Sequence, residues 1–147
     1  MFHYNYYQDD NFIFTVFYGG VTSQEIHEVI DEIQKIEQNE GTMIGLTIFC
    51  NNVKAKGINA KDIMNAGERM KNVSFRKNGK NAIIAKTLLA YGLSRMFQVA
   101  TEILHLDELK VYKEKGFDEA VEWLGLEHLR GEIENIINEH EENNVKL

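Results

Sequence analysis

Proline is absent from the 147 residues, and cysteine occurs once, as Cys50. A lone cysteine forbids an internal disulfide, so packing and hydrogen bonding must hold the fold unaided. No apolar run approaches the roughly 18 residues of a membrane-spanning helix. The opening Met1-Phe2-His3-Tyr4-Asn5-Tyr6 lacks the basic start and long apolar stretch of a secretion signal. Together these absences predict a cytoplasmic protein without a membrane span. Neither G-x-G-x-x-G nor G-x-x-x-x-G-K-[ST] occurs, so no glycine-rich phosphate loop is expected. No G-x-S-x-G elbow or Ser/His/Asp arrangement marks a hydrolase. The histidines (His3, His27, His105, His128, His140) never stand three or four apart, so neither a metal site nor any cofactor is expected. What is present is ordinary for a globular domain: 44% of residues are apolar and 27% charged. A chain of this length buries about 68–70% of its unfolded surface and builds a core without staples.

Charge is unevenly spread along the chain. Residues 1–50 carry one lysine against eight acids; residues 51–100 carry ten basic residues against two acids; residues 101–147 carry five against thirteen. Arg69, Lys71, Arg76, Lys77, Lys80, Lys86 and Arg95 follow one another with no acid between them. One reading has the basic middle fold against the acidic ends. The sharper one is a basic patch facing a phosphate, an anionic lipid headgroup or an acidic protein partner. Duplex nucleic acid is not expected: the net charge of −7 opposes approach to a polyanion.

Local patterns predict one α/β domain. Phe2–Tyr7 alternates with period two, and Phe12–Tyr18 is rich in aromatic and β-branched residues. The polar Gln8-Asp9-Asp10-Asn11 turn makes the pair an antiparallel hairpin. Thr22-Ser23-Gln24-Glu25 fits a capping box. Ile26, Val29, Ile30, Ile33 and Ile36 then recur at helical spacing up to a stop at Gly41. Thr42–Phe49 is a continuous apolar run, the mark of a strand covered on both faces. A second helix is expected over about 60–72, capped by Asn59, with Ile63, Ala66, Met70 and Val73 inward. Asn78-Gly79 reads as a turn and Asn81–Ala85 as a strand. A helix follows over about 87–104, its inner face read as Leu89, Leu93, Phe97, Ala100 and Leu104. Leu109–Tyr112 is a short strand. Phe117–Leu124 is a helix with Ala120, Trp123 and Leu124 inward.

The order β-β-α-β-α-β-α-β-α implies a mixed, mostly parallel sheet with right-handed crossovers. It spans 1–125. Residues 126–147 add an amphipathic helix, with Leu126, Leu129, Ile133 and Ile136 at 3-4-3 spacing and Ile137 beside them. That helix is expected to pack on its own chain or on a twin and to fray beyond Ile137. A homodimer joined through it, or through the aromatic first strand as an open edge, is one alternative role.

Candidate chemistry is sparse. Gly19-Gly20 lies between a strand and a helix and reads as a turn requiring positive φ. The carboxylates fall on helix exteriors. Cys50 closes an apolar strand and reads as a small buried hydrophobe. A Cys50-dependent enzyme is the lesser alternative, and it needs a thiol pKa lowered by a cationic neighbour such as Lys54 or Lys56.

Two stretches carry a resemblance: Tyr91-Gly92-Leu93-Ser94-Arg95-Met96-Phe97-Gln98, and Val111-Tyr112-Lys113 leading through Phe117-Asp118-Glu119-Ala120-Val121-Glu122-Trp123-Leu124. Together they resemble the STAS-like proteins, and within them the SpoIIAA-like (STAS/SEC14-type) subgroup, over about residues 2–126. The resemblance implies a small sheet with helices on it and a non-enzymatic role in binding protein partners, nucleotides or lipids. Regulatory members carry a phosphorylated serine at the start of the second helix. The matching Val53–Asp62 contains no Ser or Thr and instead has Lys54, Lys56 and Lys61. The expectation is therefore a non-catalytic binding or regulatory module that uses Lys54, Lys56, Arg69, Lys71, Arg76, Lys77 and Lys80. A lipid or small-molecule carrier, which needs a cavity, is a lesser alternative.

Overall fold

A computed structural model describes residues 1–36, 43–70, 79–105 and 108–145. The chain forms a mixed five-stranded sheet with helices on both faces. Strands β1 (Phe2–Tyr7) and β2 (Phe12–Phe17) pair antiparallel, Phe2 opposite Phe17. Helix α1 (Ser23–Gln34) crosses to β4 (Ile44–Phe49), α2 (Ala60–Met70) to β6 (Lys80–Ala85), and α3 (Leu88–Ile103) to β7 (Glu108–Lys113). The sheet order is β1-β2-β4-β6-β7, with every pair after the hairpin parallel. Two three-residue strands, β3 (Gly20–Thr22) and β5 (Lys54–Lys56), form a separate parallel pair beyond the carboxyl ends of β2 and β4. Helices α4 (Phe117–Leu124) and α5 (Arg130–Val145) close the chain.

Each crossover steps the same way across the sheet. Because such crossovers are right-handed, all three of their helices must share one face. The core divides accordingly. Ile13, Phe17 and Phe49 point toward α1 and α2, meeting Val29, Ile30, Ile33, Ala66 and Met70. Phe12, Phe14, Val16, Leu46, Ile48, Ala82 and Ile84 point the other way. They meet Ala120, Val121 and Leu124 of α4, then Leu126, Ile133 and Ile137. The sheet is covered on both sides, which explains why β2 and β4 read as nearly unbroken apolar runs.

Helix ends follow their sequence signals. Thr22 Oγ1 accepts from the Glu25 N–H at 3.3 Å, and the Glu25 carboxylate accepts from the Thr22 N–H at 2.9 Å, completing the capping box. Burial alone would raise the Glu25 pKa; hydrogen bonds from the Met1 ammonium and Thr22 outweigh it and hold the carboxyl below its ordinary value. Thr22→Ala is expected to cost about 1 kcal/mol, read as a lower denaturant midpoint at unchanged slope. Asn59 and Asp62 cap α2 reciprocally, at 2.9 and 3.0 Å. Gly125 ends α4 at φ 71°, a left-handed conformation that favours glycine.

Three expectations are corrected. The segment past Ile137 stays helical to Val145, because His140 and Glu141 dock on the body of the chain. The His140 ring lies 5.1 Å from that of His3 and 4.6 Å from that of Tyr18, and Glu141 accepts from Lys86 Nζ at 2.7 Å. In α3 Leu93, Phe97 and Ala100 face inward as expected and are joined by Ala90, Ser94 and Thr101, whereas Leu89 is exposed. In α4 Ala120 and Leu124 are buried as expected and Val121 joins them, while Trp123 is only half-buried against the core, with Lys80 and Lys110 over its ring. The expected stop at Gly41, the inward Val73 and Asn78 of the turn lie outside the described residues.

Candidate binding site beneath the crossover helices

Between the sheet and α1, α2 and α3 lies a cavity of about 130 Å³. Its floor is Phe17, Thr47, Phe49 and Ile83 of the central strands. Val29, Ile30 and Ile33 of α1, Ile63, Ala66 and Met70 of α2, and Ala90, Leu93, Ser94 and Phe97 of α3 form its roof. Val53, Ala55 and Ile58 make the wall beyond the end of β4. Thr47 and Ser94 bring the only hydroxyls among these lining residues, and no lining residue is charged.

Local sequence explains the void. A Cβ on Gly67 would stand 3.2 Å from the Ala100 Cβ, so α2 and α3 approach closely at that point. Where they face the floor they present small side chains, Ala66, Ala90 and Ser94. Short side chains on helices set by a close contact elsewhere cannot reach the sheet. The space is similar to the roughly 150 Å³ that suffices for benzene or xenon in an apolar protein cavity.

Of the basic residues singled out from sequence, the four that are described, Lys54, Lys56, Arg69 and Lys80, do not converge on one surface. Lys54 and Lys56 are exposed on β5, flanking the half-buried Ala55 of the cavity wall. The Lys56 side chain lies along Gly20. Arg69 turns toward α1: it forms an ion pair with Asp31, donates to the His27 carbonyl at 3.2 Å, and lies 2.9 Å from His27 Nδ1. Lys80 starts β6, with its ammonium 5.3 Å from the Trp123 ring centre. At roughly 3.3 Å per residue that position is about 17 Å along the sheet from the end bearing Lys54 and Lys56. Lys71, Arg76 and Lys77 lie outside the described residues.

A second, more polar cleft opens at the carboxyl ends of β4 and β6. Ile48, Ile84, Lys86, Glu114, Phe117, Glu134, Ile137 and Asn138 line it. Lys86 is only 14% exposed there, held by Glu141 at 2.7 Å and facing Glu114 at 3.9 Å. Cys50 is fully buried. Desolvation, with the Glu141 charge adding to it, pushes its thiol up to about 12; Lys86 acts weakly the other way. That direction is opposite to the one nucleophilic use requires.

Sequence periodicity located the inward residues of α1 and α2, but volume is not a periodic property, and the cavity had no motif. The signal available was the run of small residues facing aromatic ones, which pattern-reading treats as ordinary core. Comparison with known proteins found no matching family model, no matching curated protein and no matching solved structure. Among the described residues no helix is long and apolar enough to cross a membrane, and no group of three His, Cys, Asp or Glu side chains could hold a metal ion.

Proposed function

We propose that this chain is a non-catalytic binding module of STAS-like type, and that its ligand is a small apolar molecule with an anionic head. The observation that supports this most is the uncharged cavity between the sheet and the crossover helices. An apolar void has no use in packing and a direct use in binding, since an entering hydrocarbon recovers the contacts that the lining side chains lack. Lys54 and Lys56, on either side of the wall residue Ala55, supply positive charge for a carboxylate or phosphate head. This keeps the anionic ligand expected from sequence and narrows its protein contacts to two lysines.

Calorimetric titration with benzoate, whose ring suits a space of this size, tests the reading, with toluene as competitor. Saturable, competable binding is expected. Ala66→Leu, which grows into the cavity, should weaken binding at least tenfold while leaving the melting temperature equal or higher. Lys54→Ala with Lys56→Ala should weaken benzoate and spare toluene. Absence of saturable binding, or binding that ignores the filled cavity, overturns the proposal.

A further inference from the structure

Large apolar side chains left in solvent are concentrated on one helix. Leu88, Leu89, Met96, Val99 and Ile103 of α3 are 82, 59, 38, 52 and 64% exposed. Leu88, Gly92, Met96, Val99 and Ile103 succeed one another at 4-4-3-4 spacing, so they run down a single face, away from the sheet. Scattered exposed leucines need no explanation, but a contiguous apolar stripe does. Gly92 adds shape to it: a Cβ built there meets nothing within 4 Å, so the stripe has a hollow one-quarter of the way along a convex row.

The charges on α3 are Arg95 and Glu102, seven residues apart and therefore on the same flank of the stripe. A stripe with a hollow near one end, a bulky branched side chain near the other, and opposite charges along one flank complements itself when reversed.

We infer that α3 is the dimerisation face of this protein, packing antiparallel against α3 of a second copy about a twofold axis near Phe97 and Gln98. In that register Ile103 of each copy fills the hollow at the partner's Gly92. Met96 lies against the partner's Val99. Antiparallel helices set like flank against like flank, which brings Arg95 within a turn of the partner's Glu102 on both sides of the axis. A glycine in mid-helix is costly in conformational entropy, and here it admits the opposing side chain. A bilayer fits the stripe less well. Interfacial helices carry several Lys or Arg beside the apolar face, whereas here the single arginine is balanced by Glu102 and the chain carries −7 overall. Tail and first-strand dimers are also less favoured: Ile133 and Ile137 of the tail are buried against their own sheet, and every residue of β1 is already half-buried in its own chain.

The test is sedimentation equilibrium of the full chain across micromolar concentrations. A mass twice 17.0 kDa is expected. Val99→Glu, at a position half in solvent, should give a monomer that melts where the native chain does when diluted below its dissociation constant. Arg95→Glu should weaken association by roughly tenfold, acting at both symmetric pairs. Arg95→Glu combined with Glu102→Arg should restore it. A monomer at every concentration, a dimer indifferent to Val99→Glu, or a charge exchange that restores nothing each overturns the inference. So does a monomer that cosediments with phosphatidylcholine vesicles and loses that ability in Val99→Glu. Because Ala66→Leu alters the cavity and not the stripe, loss of ligand binding with an intact dimer separates this inference from the proposed function.

Discussion

Ile133→Ala is expected to destabilise the protein by about 2–5 kcal/mol, and a chain truncated after Gly125 is expected not to fold cooperatively at all. Ile133 is fully buried, as are Leu126 and Ile137 to within a few per cent, and all three rest on the sheet face that carries Phe12, Phe14, Ile48 and Ile84. Removing the helix returns that aromatic and aliphatic surface to water, at roughly 1.5–3 kcal/mol for each large side chain exposed. Against a total stability of about 5–15 kcal/mol for a domain, the sum is decisive. Chemical denaturation of Ile133→Ala and Ile133→Val, the latter expected to cost about 1 kcal/mol, measures the graded effect where truncation gives only collapse. A truncated chain with native stability would show that α5 is an appendage.

Cys50 in the native protein is expected to react with iodoacetamide at pH 8 about a thousandfold more slowly than an unstructured peptide thiol. Burial, and after it the negative charge of Glu141, moves the thiol from its ordinary 9.0 up to about 12. Each pH unit is tenfold in the thiolate that does the attacking. The sign carries over to stability. Above pH 9 the unfolded chain loses this proton and the native chain keeps it, so unfolding releases a proton. The Cys50 contribution is therefore complete below about pH 9 and declines as pH rises toward 12. Glu141→Gln should lower the thiol pKa and Lys86→Met should raise it, following the direction of each charge. Rapid native labelling at pH 8 would contradict this account and reopen the Cys50-dependent enzyme.

Much of the fold was legible because its signals are local. Thr22 and Glu25 stand three apart and bond as that spacing dictates. Phe117–Leu124 begins and ends where its pattern does, and the strands fall where apolar runs fall. The errors have one origin. Residues 88–104 are apolar on both sides, so a three-four count admits two faces; it places Leu89 with Leu93 and Phe97, and the structure turns Leu89 outward with Val99 and Ile103. The tail is rich in carboxylates, and nothing in its own sequence announces that Lys86, Asn52 and His3 wait 55 or more residues away. The paired strands β3 and β5 are three residues each, too short for any period. Charge segregation along the sequence, likewise, says nothing about which end of a sheet each lysine reaches: the register of β6 puts Lys80 at one end, while the chain leaving β4 puts Lys54 and Lys56 at the other.

The two-sided covering of the sheet has a consequence for biosynthesis. Phe12 and Phe14 leave the ribosome early, yet the side chains that shield their outer surface, Ile133 and Ile137, are made more than a hundred residues later. All five strands can be translated while half of the core still lacks its lid. Contacts so distant in the chain form slowly, and the unfinished sheet meanwhile displays greasy aromatic surface to its neighbours. Newly made copies therefore have a window in which they need either dilution or a chaperone.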